Sequence, residues 1–131
     1  EGVSEGVIDA ICSDHQPHGL DAKLTPFSES EPGIAGLETL LSLTLQLVKD
    51  GIISLPEAIS RVTFNPACIL GIDVGKLSTG AAADICIFDP DARREVSVSE
   101  FSSQGRNHPL DRTILPGSVS HVMVAGIEVN F

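Results

Sequence analysis

The sequence predicts an α/β chain whose elements run strand, helices, then several short strands. Three observations carry that prediction. Val7-Ile8-Asp9-Ala10-Ile11-Cys12 is near-continuously apolar, as expected of a strand buried on both faces. From Leu37 to about Lys49, the residues Leu37, Leu40, Leu41, Thr44, Leu45 and Val48 follow the three- and four-residue spacing of a helix face. After Gly71 the pattern changes to that of short strands.

Each element follows in order. Residues 1–6 read as the end of a helix closing at Gly6, ahead of the 7–12 strand. Residues 13–36 form a long loop holding Gly, Pro, Ser and Asp, and a loop of that length in a compact domain is usually functional or mobile. In the helix after it, Leu43 and Leu47 widen the apolar stripe, so cover is needed on more than one side, and Gly51 suits the C-cap. Ser54-Leu55-Pro56-Glu57 has capping-box spacing, with proline in the first turn where its missing N–H costs nothing. Leu55, Ala58, Ile59 and Val62 then line one face. Asn65-Pro66 predicts a further short helix, with Asn65 as N-cap and Pro66 at the first helical position, ending near Gly71. Ala83-Asp84-Ile85-Cys86-Ile87-Phe88 is strand-like and closed by Asp89-Pro90-Asp91, and residues 95–98 alternate weakly. His121-Val122-Met123-Val124, Ala125-Gly126 and Ile127-Glu128-Val129 predict a terminal hairpin, although Ala-Gly is a poorer two-residue turn than Asn-Gly. There is no internal repeat and no low-complexity tract.

At 131 residues one domain is the default, and 42% hydrophobic residues suffice for a core. No apolar run is long enough to span a bilayer, and no basic-then-apolar signal segment opens the chain. A formal net charge of -10 disfavours nucleic acid, since the chain lacks the cationic surface that neutralises phosphates; acidity of this kind serves solubility. Cys12, Cys68 and Cys86 are odd in number and widely spaced. Buried free thiols in a reducing compartment, and hence the cytoplasm, fit better than a disulfide framework or a zinc knuckle.

The chemistry concentrates at Ser13-Asp14-His15-Gln16-Pro17-His18, where the apolar run ends. In parallel α/β folds the C-terminal end of a strand is where active sites lie. A carboxylate there can ligate a divalent metal and take a proton from metal-bound water; the alternative for Asp14 is a plain cap. Two imidazoles, His15 and His18, beside a carboxylate are uncommon by chance. Yet Asp-His-x-x-His does not complete a zinc site, which wants three protein ligands plus water, and nothing later in the chain supplies the rest. His108 and His121 read as ordinary surface or strand histidines. Pro32-Gly33 is either a plain turn or a place where the backbone approaches a ligand closely. Glu38 complements a helix dipole and reads as structural. Asp21 and Lys23 read as solvated loop charges, and Arg93-Arg94 as a solvated turn. Gly75-Lys76-Leu77-Ser78-Thr79-Gly80 is not a phosphate loop, because Lys and Ser precede the second Gly and no helix follows.

Two segments resemble the dihydroorotases of the amidohydrolase superfamily. Ser13-Asp14-His15-Gln16-Pro17-His18 resembles the motif whose usual form is Asp-His-Ala-Pro-His. Pro32-Gly33-Ile34-Ala35-Gly36-Leu37-Glu38-Thr39 resembles Phe-Gly-Ile-Val-Gly-Leu-Glu-Thr. Asn65-Pro66-Ala67 through Gly71, then Gly75-x-Leu-x-x-Gly and Ala83-Asp84-Ile85, is similar to a stretch found across many amidohydrolases. The resemblance implies the C-terminal part of a (β/α)8 barrel: strand eight, active-site loop and helices in residues 1–71, then the C-terminal strands of a small β-sandwich in 72–131. It implies that Asp14 ligates one metal, zinc, and shuttles the proton of the attacking hydroxide. His18 would hydrogen-bond the carboxylate of dihydroorotate, and Pro32 and Gly33 would touch substrate through the backbone. The implied reaction is reversible hydrolysis of the cyclic amide of dihydroorotate to N-carbamoyl-aspartate, in pyrimidine biosynthesis. The His-x-His pair, the carboxylated lysine and the histidines of strands five and six belong to parts of that enzyme outside this sequence, so the 131 residues alone are expected to be inactive and to self-associate or pair with the rest. Two departures stand out: Gln16 replaces the usual Ala, and Pro32 replaces the usual Phe and has no N–H to offer. The Ser-Asp-His-Gln-Pro-His form also resembles catalytically silent dihydroorotase-like chains that assemble with aspartate transcarbamoylase, which is the alternative reading.

Overall fold

The computed structural model describes residues 1–130. Three helices follow the long loop: α1 (Leu40–Lys49), α2 (Leu55–Val62) and α3 (Phe64–Leu70). A three-stranded antiparallel sheet completes the chain, in the order β1 (Ile85–Glu95), β2 (Ile114–Val124) and β3 (Ile127–Val129).

The elements whose signals are local form where the sequence places them. Leu37–Thr39 makes a 3-10 turn that leads into α1, and Gly51 follows the helix with φ 69, a left-handed conformation that glycine reaches at little cost. At α2 the capping box forms as spaced: the Ser54 N–H donates to Glu57 Oε2 at 2.8 Å, and the Ser54 hydroxyl also donates to that oxygen at 2.6 Å. These bonds from Ser54 hold the Glu57 carboxyl below its usual range. The terminal hairpin forms about Ala125 and Gly126, which take φ 50 and φ 79, the paired positive values of a type I′ turn. Alanine is a poor residue there, and its N–H is tied down by the Asp84 carboxylate at 2.7 Å.

Several expectations are corrected. Residues 1–6 make hydrogen-bonded turns instead of a helix end, though Gly6 does take φ 73. The 7–12 segment joins no ladder among the described residues, and Val7 is 73% exposed. A strand needs a neighbour, and here the neighbours are helix ends: the Ile11 N–H donates to the Arg61 carbonyl at 2.9 Å, and Asn65 Nδ2 donates to the Asp9 carbonyl at 2.8 Å. That contact takes Asn65 away from capping, so α3 starts at Phe64 with Thr63 before it; Pro66 still lies in the first turn. Asp89-Pro90-Asp91 does not end β1. Asp89 Oδ1 accepts the N–H groups of Asp91 (2.9 Å) and Ala92 (3.3 Å), and the register shifts between Asp89 and Arg93, so the three residues form an irregularity within a longer strand. Arg93 and Arg94 therefore lie on a strand opposite Pro116 and Leu115, not in a turn. Lys23 donates to the Glu31 carbonyl and is not simply solvated. Residues 95–98 contribute Val96 and Val98 to a small core with Leu115, beside Phe101 and Leu110, while Val98–Glu100 closes as a 3-10 turn. All three cysteines are free, as read, but exposed.

Helix α1 packs on β2. Leu45, 1% exposed, fits against Gly117, where an added Cβ would lie 2.5 Å from Leu45 Cδ1. Gly105, Asn107 and His108 are buried, and the backbone and side chain of Asn107 bond the long loop at Ala35 and His18.

Candidate active site

The loop after Cys12 turns sharply at Asp14, which takes φ 40. Asp is one of the few non-glycine residues found there, and such conformations persist where surrounding contacts fix them. The next residues run parallel to a second segment of the loop: His15 pairs with Ile34, and the Gln16 N–H donates to the Ile34 carbonyl at 2.8 Å. Residues 14–18 and 32–34 therefore face each other across a two-segment platform.

Two side chains, Gln16 and His18, cross it. Gln16 Nε2 donates to Asp14 Oδ2 at 2.9 Å. The same Gln16 lies against Gly33: a Cβ there would sit 2.5 Å from Gln16 Cβ and 2.6 Å from its Oε1. With φ 87 as well, position 33 excludes any side chain twice over. His18 Nε2 lies 3.1 Å from the Pro32 carbonyl oxygen, and since a carbonyl only accepts, Nε2 carries the proton. Pro32 thus enters the site through its carbonyl, and its lack of an N–H is immaterial to this bond. Asp14, His18, Pro32 and Gly33 are all brought to one platform, Asp14 and Gly33 through Gln16, His18 and Pro32 directly.

His15 faces away from this role. The Leu37 N–H donates to its Nδ1 at 3.1 Å, and Nε2 lies 3.5 Å from the Ser103 hydroxyl. The imidazole thus ties the loop to the turn that starts the α1 segment. Glu38 is structural too: its Oε1 accepts the Ser103 N–H at 3.0 Å.

For a divalent metal, the chain offers one fitting donor. Asp14 is exposed and its carboxylate has an oxygen unused by Gln16, whereas both ring nitrogens of His15 are engaged and His18, with Nε2 on the Pro32 carbonyl, keeps only Nδ1 free. Among the described residues, no group of three or more His, Cys, Asp or Glu side chains converges, so these residues do not by themselves make a metal centre.

The segment 101–110, of which the sequence reading remarked only His108, bonds to both platform segments. Asn107 is 6% exposed; its Oδ1 accepts the His18 N–H at 2.7 Å, and its Nδ2 donates to the Gln16 carbonyl at 2.9 Å and the Gly33 carbonyl at 3.3 Å. Gly105 lies so close to Pro17 that a Cβ would approach its Cβ to 2.4 Å. His108 is neither on the surface nor on a strand: it is 8% exposed, its Nδ1 accepts the Leu110 N–H at 3.1 Å, and its Nε2 lies 3.0 Å from the Thr39 hydroxyl. Its ring meets Phe101 edge-on with centroids 5.5 Å apart. Burial holds the imidazole below the ordinary histidine range, with the Asp111 carboxylate opposing. The one available signal was the low-charge run Gln104-Gly105-Arg106-Asn107-His108-Pro109, in which a buried amide looks like any loop asparagine. His121 does lie exposed on β2.

Comparison with known proteins places the chain. It is 46% identical over 124 residues to a dihydroorotase-like protein of Pseudomonas putida, covering 95% of this chain and 29% of that protein. It is 41% identical over 126 residues to a dihydroorotase of Geobacter metallireducens, covering 96% of this chain and 30% of the relative. Among solved structures, L-hydantoinase (dihydropyrimidinase) from Arthrobacter aurescens superposes with a TM-score of 0.91 at 32% identity, over 98% of this chain and 30% of that one. The chain thus spans about 30% of the length of the relatives it matches. The pattern of the Amidohydrolase family matches residues 1–129, and the chain belongs to that family.

Proposed function

We propose that the chain is the C-terminal part of a dihydroorotase, a cyclic amidohydrolase that interconverts dihydroorotate and N-carbamoyl-aspartate in the cytoplasm. The observation that carries this reading is the platform itself, where the exposed Asp14 carboxylate is bonded to Gln16, Gln16 lies against Gly33 and His18 bonds the Pro32 carbonyl, on a chain whose relatives are named dihydroorotase and dihydroorotase-like protein. In this reading residues 1–71 end the hydrolase barrel, with 7–12 as its last strand, and 72–131 supply strands of a β-sandwich. The exposure of the apolar 7–12 segment supports it, since a strand of that composition wants neighbours on both sides.

Asp14 would be one ligand of a divalent metal, zinc, whose other ligands would come from outside this chain. When bound, the metal supplies Lewis acidity toward the amide carbonyl and a nucleophilic water at neutral pH. Asp14 takes the proton from the attacking water and returns it to the departing amide nitrogen, so one carboxylate serves both directions of a reversible reaction. His18 binds the substrate carboxylate. With Nε2 donating to the Pro32 carbonyl, Nδ1 is the ring atom left to face the substrate. Gly33 lets the backbone approach the ring, and the Pro32 carbonyl orients His18.

A second reading has one specific observation in its favour. Gln16, in place of the alanine usual in dihydroorotases, is hydrogen-bonded onto Asp14. An amide held on the catalytic carboxylate suits a silent chain that serves as an assembly partner of aspartate transcarbamoylase. The test is to express the whole parent polypeptide, free of host enzyme, and follow dihydroorotate in both directions. Metal-dependent turnover upholds the first reading. No turnover, with co-purification of aspartate transcarbamoylase, replaces it with the second.

A further inference from the structure

Resting on the reading of residues 13–18 and 32–33 as the site, we propose that Asn107 is the positioning residue that sets its two segments relative to one another. The segments touch directly through few bonds, chiefly the Gln16 N–H to the Ile34 carbonyl at 2.8 Å and the His18–Pro32 contact. Asn107 crosses beneath both. Its carboxamide accepts from the His18 N–H and donates to the Gln16 and Gly33 carbonyls, and its own carbonyl accepts the Ala35 N–H at 3.3 Å. Those partners lie 89, 91 and 74 residues away in sequence for the three side-chain bonds. The Arg106 N–H donates to the His18 carbonyl at 3.0 Å, so both backbone groups of His18 are held by 106–107.

The chemistry selects an amide. One acceptor and two donors on one planar group match one N–H and two carbonyls. Aspartate would set a second acceptor against two carbonyls, and serine has a single donor and a shorter reach. Because the group is buried, each bond it makes is shielded from water, and losing it leaves backbone polar groups without partners. Asn107 touches only backbone of the site residues, so it acts through them: it fixes where the His18 ring starts and how far Gly33 stands from Gln16.

The experiment uses the whole parent polypeptide carrying Asn107→Ala, with Asn107→Ser as a second variant that retains a polar group should the alanine form fail to fold. Backbone hydrogen exchange reads the positioning directly. The His18 and Gln16 amides should lose protection by about tenfold or more, while α1 amides stay as in the wild type, because the loss is a local opening and not global unfolding. In steady state KM for dihydroorotate should rise by about tenfold with kcat less affected, the pattern of lost binding geometry. A merely structural role would lower the amount of folded enzyme and leave KM unchanged. Unchanged protection at His18 and Gln16 in a folded variant overturns the proposal. So does lost protection with KM within about twofold of an active wild type. If the wild-type parent shows no turnover, it is the dihydroorotase reading that fails, and the exchange measurement alone decides whether Asn107 sets the segments.

Discussion

Replacing Asp14 by Asn separates chemistry from structure at the one carboxylate of the platform. Asp14 holds φ 40, and asparagine is among the few side chains that tolerate that region, so the backbone need not move. The new amide keeps an oxygen where Gln16 Nε2 donates at 2.9 Å, and the position is exposed. Folding stability should therefore change by less than about 0.5 kcal/mol, the ordinary span for surface substitutions. What disappears is a group that can carry a proton. Loss of a positioned acid–base group lowers kcat roughly 10²–10⁴-fold. At about 1.36 kcal/mol per tenfold that is ~2.7–5.4 kcal/mol on the barrier, several times the folding cost. The assay is the initial rate of dihydroorotate turnover by the parent polypeptide, read beside its metal content and thermal midpoint. A midpoint within about 2 °C of wild type with kcat down by the stated factor is expected. Loss of bound metal would enlarge the drop. Turnover within about twofold of wild type, with metal retained, would refute the reasoning and leave Asp14 as a cap on a sharp turn.

Three further outcomes follow from the same geometry. His18→Ala in the parent should raise KM by about 10- to 100-fold, the worth of a hydrogen bond to a charged group, with a smaller change in kcat; an unchanged KM removes His18 from substrate binding. Gly33→Ala should lower the thermal midpoint, since φ 87 costs ~1–2 kcal/mol for a non-glycine residue before its Cβ meets Gln16. Gln16→Ala in the same chain should not rescue it, because alanine keeps the Cβ that stands 2.5 Å away; full rescue would contradict the described packing. His108 is held below the ordinary histidine value of 6.5 by burial, so the unfolded chain takes up its proton first as pH falls. Its contribution to stability is therefore whole above 6.5 and declines as pH falls through that value, and urea midpoints should show this decline in the wild type and lack it in His108→Gln.

How much of this was legible in the sequence depended on how far each signal reaches. Ser54 and Glu57 are three residues apart and close their box as read; Gly51, Gly71 and the Ala125-Gly126 pair bend the chain where expected. Asp14, His18, Pro32 and Gly33 were singled out as candidates because two short segments carried a family resemblance, and the structure places the two segments side by side. Errors arose where a distant partner overrode a local preference. Asn65 is a good N-cap by type, yet it serves the Asp9 carbonyl 56 residues away, so the helix starts without it. Asp89-Pro90-Asp91 has the composition of a turn, yet a partner strand on the other side keeps β1 running through it. Asn107 and His108 carried no periodicity and no motif, and their bonds to His18 and Thr39 reach across 89 and 69 residues.

The 7–12 segment shows the limit most sharply. Its composition asks for burial on two faces, while the structure leaves it beside helix ends with Val7 and Ile8 exposed. The same holds for Leu43 on α1, and for Phe27, 99% exposed in the long loop. An apolar pattern reports the environment a segment was selected for, not the conformation it takes with the neighbours at hand. Hydrogen bonds around the platform join residues 13–39 and 101–110, and among the described residues no buried side-chain polar atom lacks a partner. The two facts together divide the molecule. Its polar framework around Asp14 is complete within these residues, whereas its apolar faces are not, and a chain spanning about 30% of its relatives' length is where that combination is expected. On the proposed reading, catalysis by Asp14 would depend on groups from the rest of the parent polypeptide, packed against these uncovered apolar faces, and the Asp14→Asn measurement in that parent tests it.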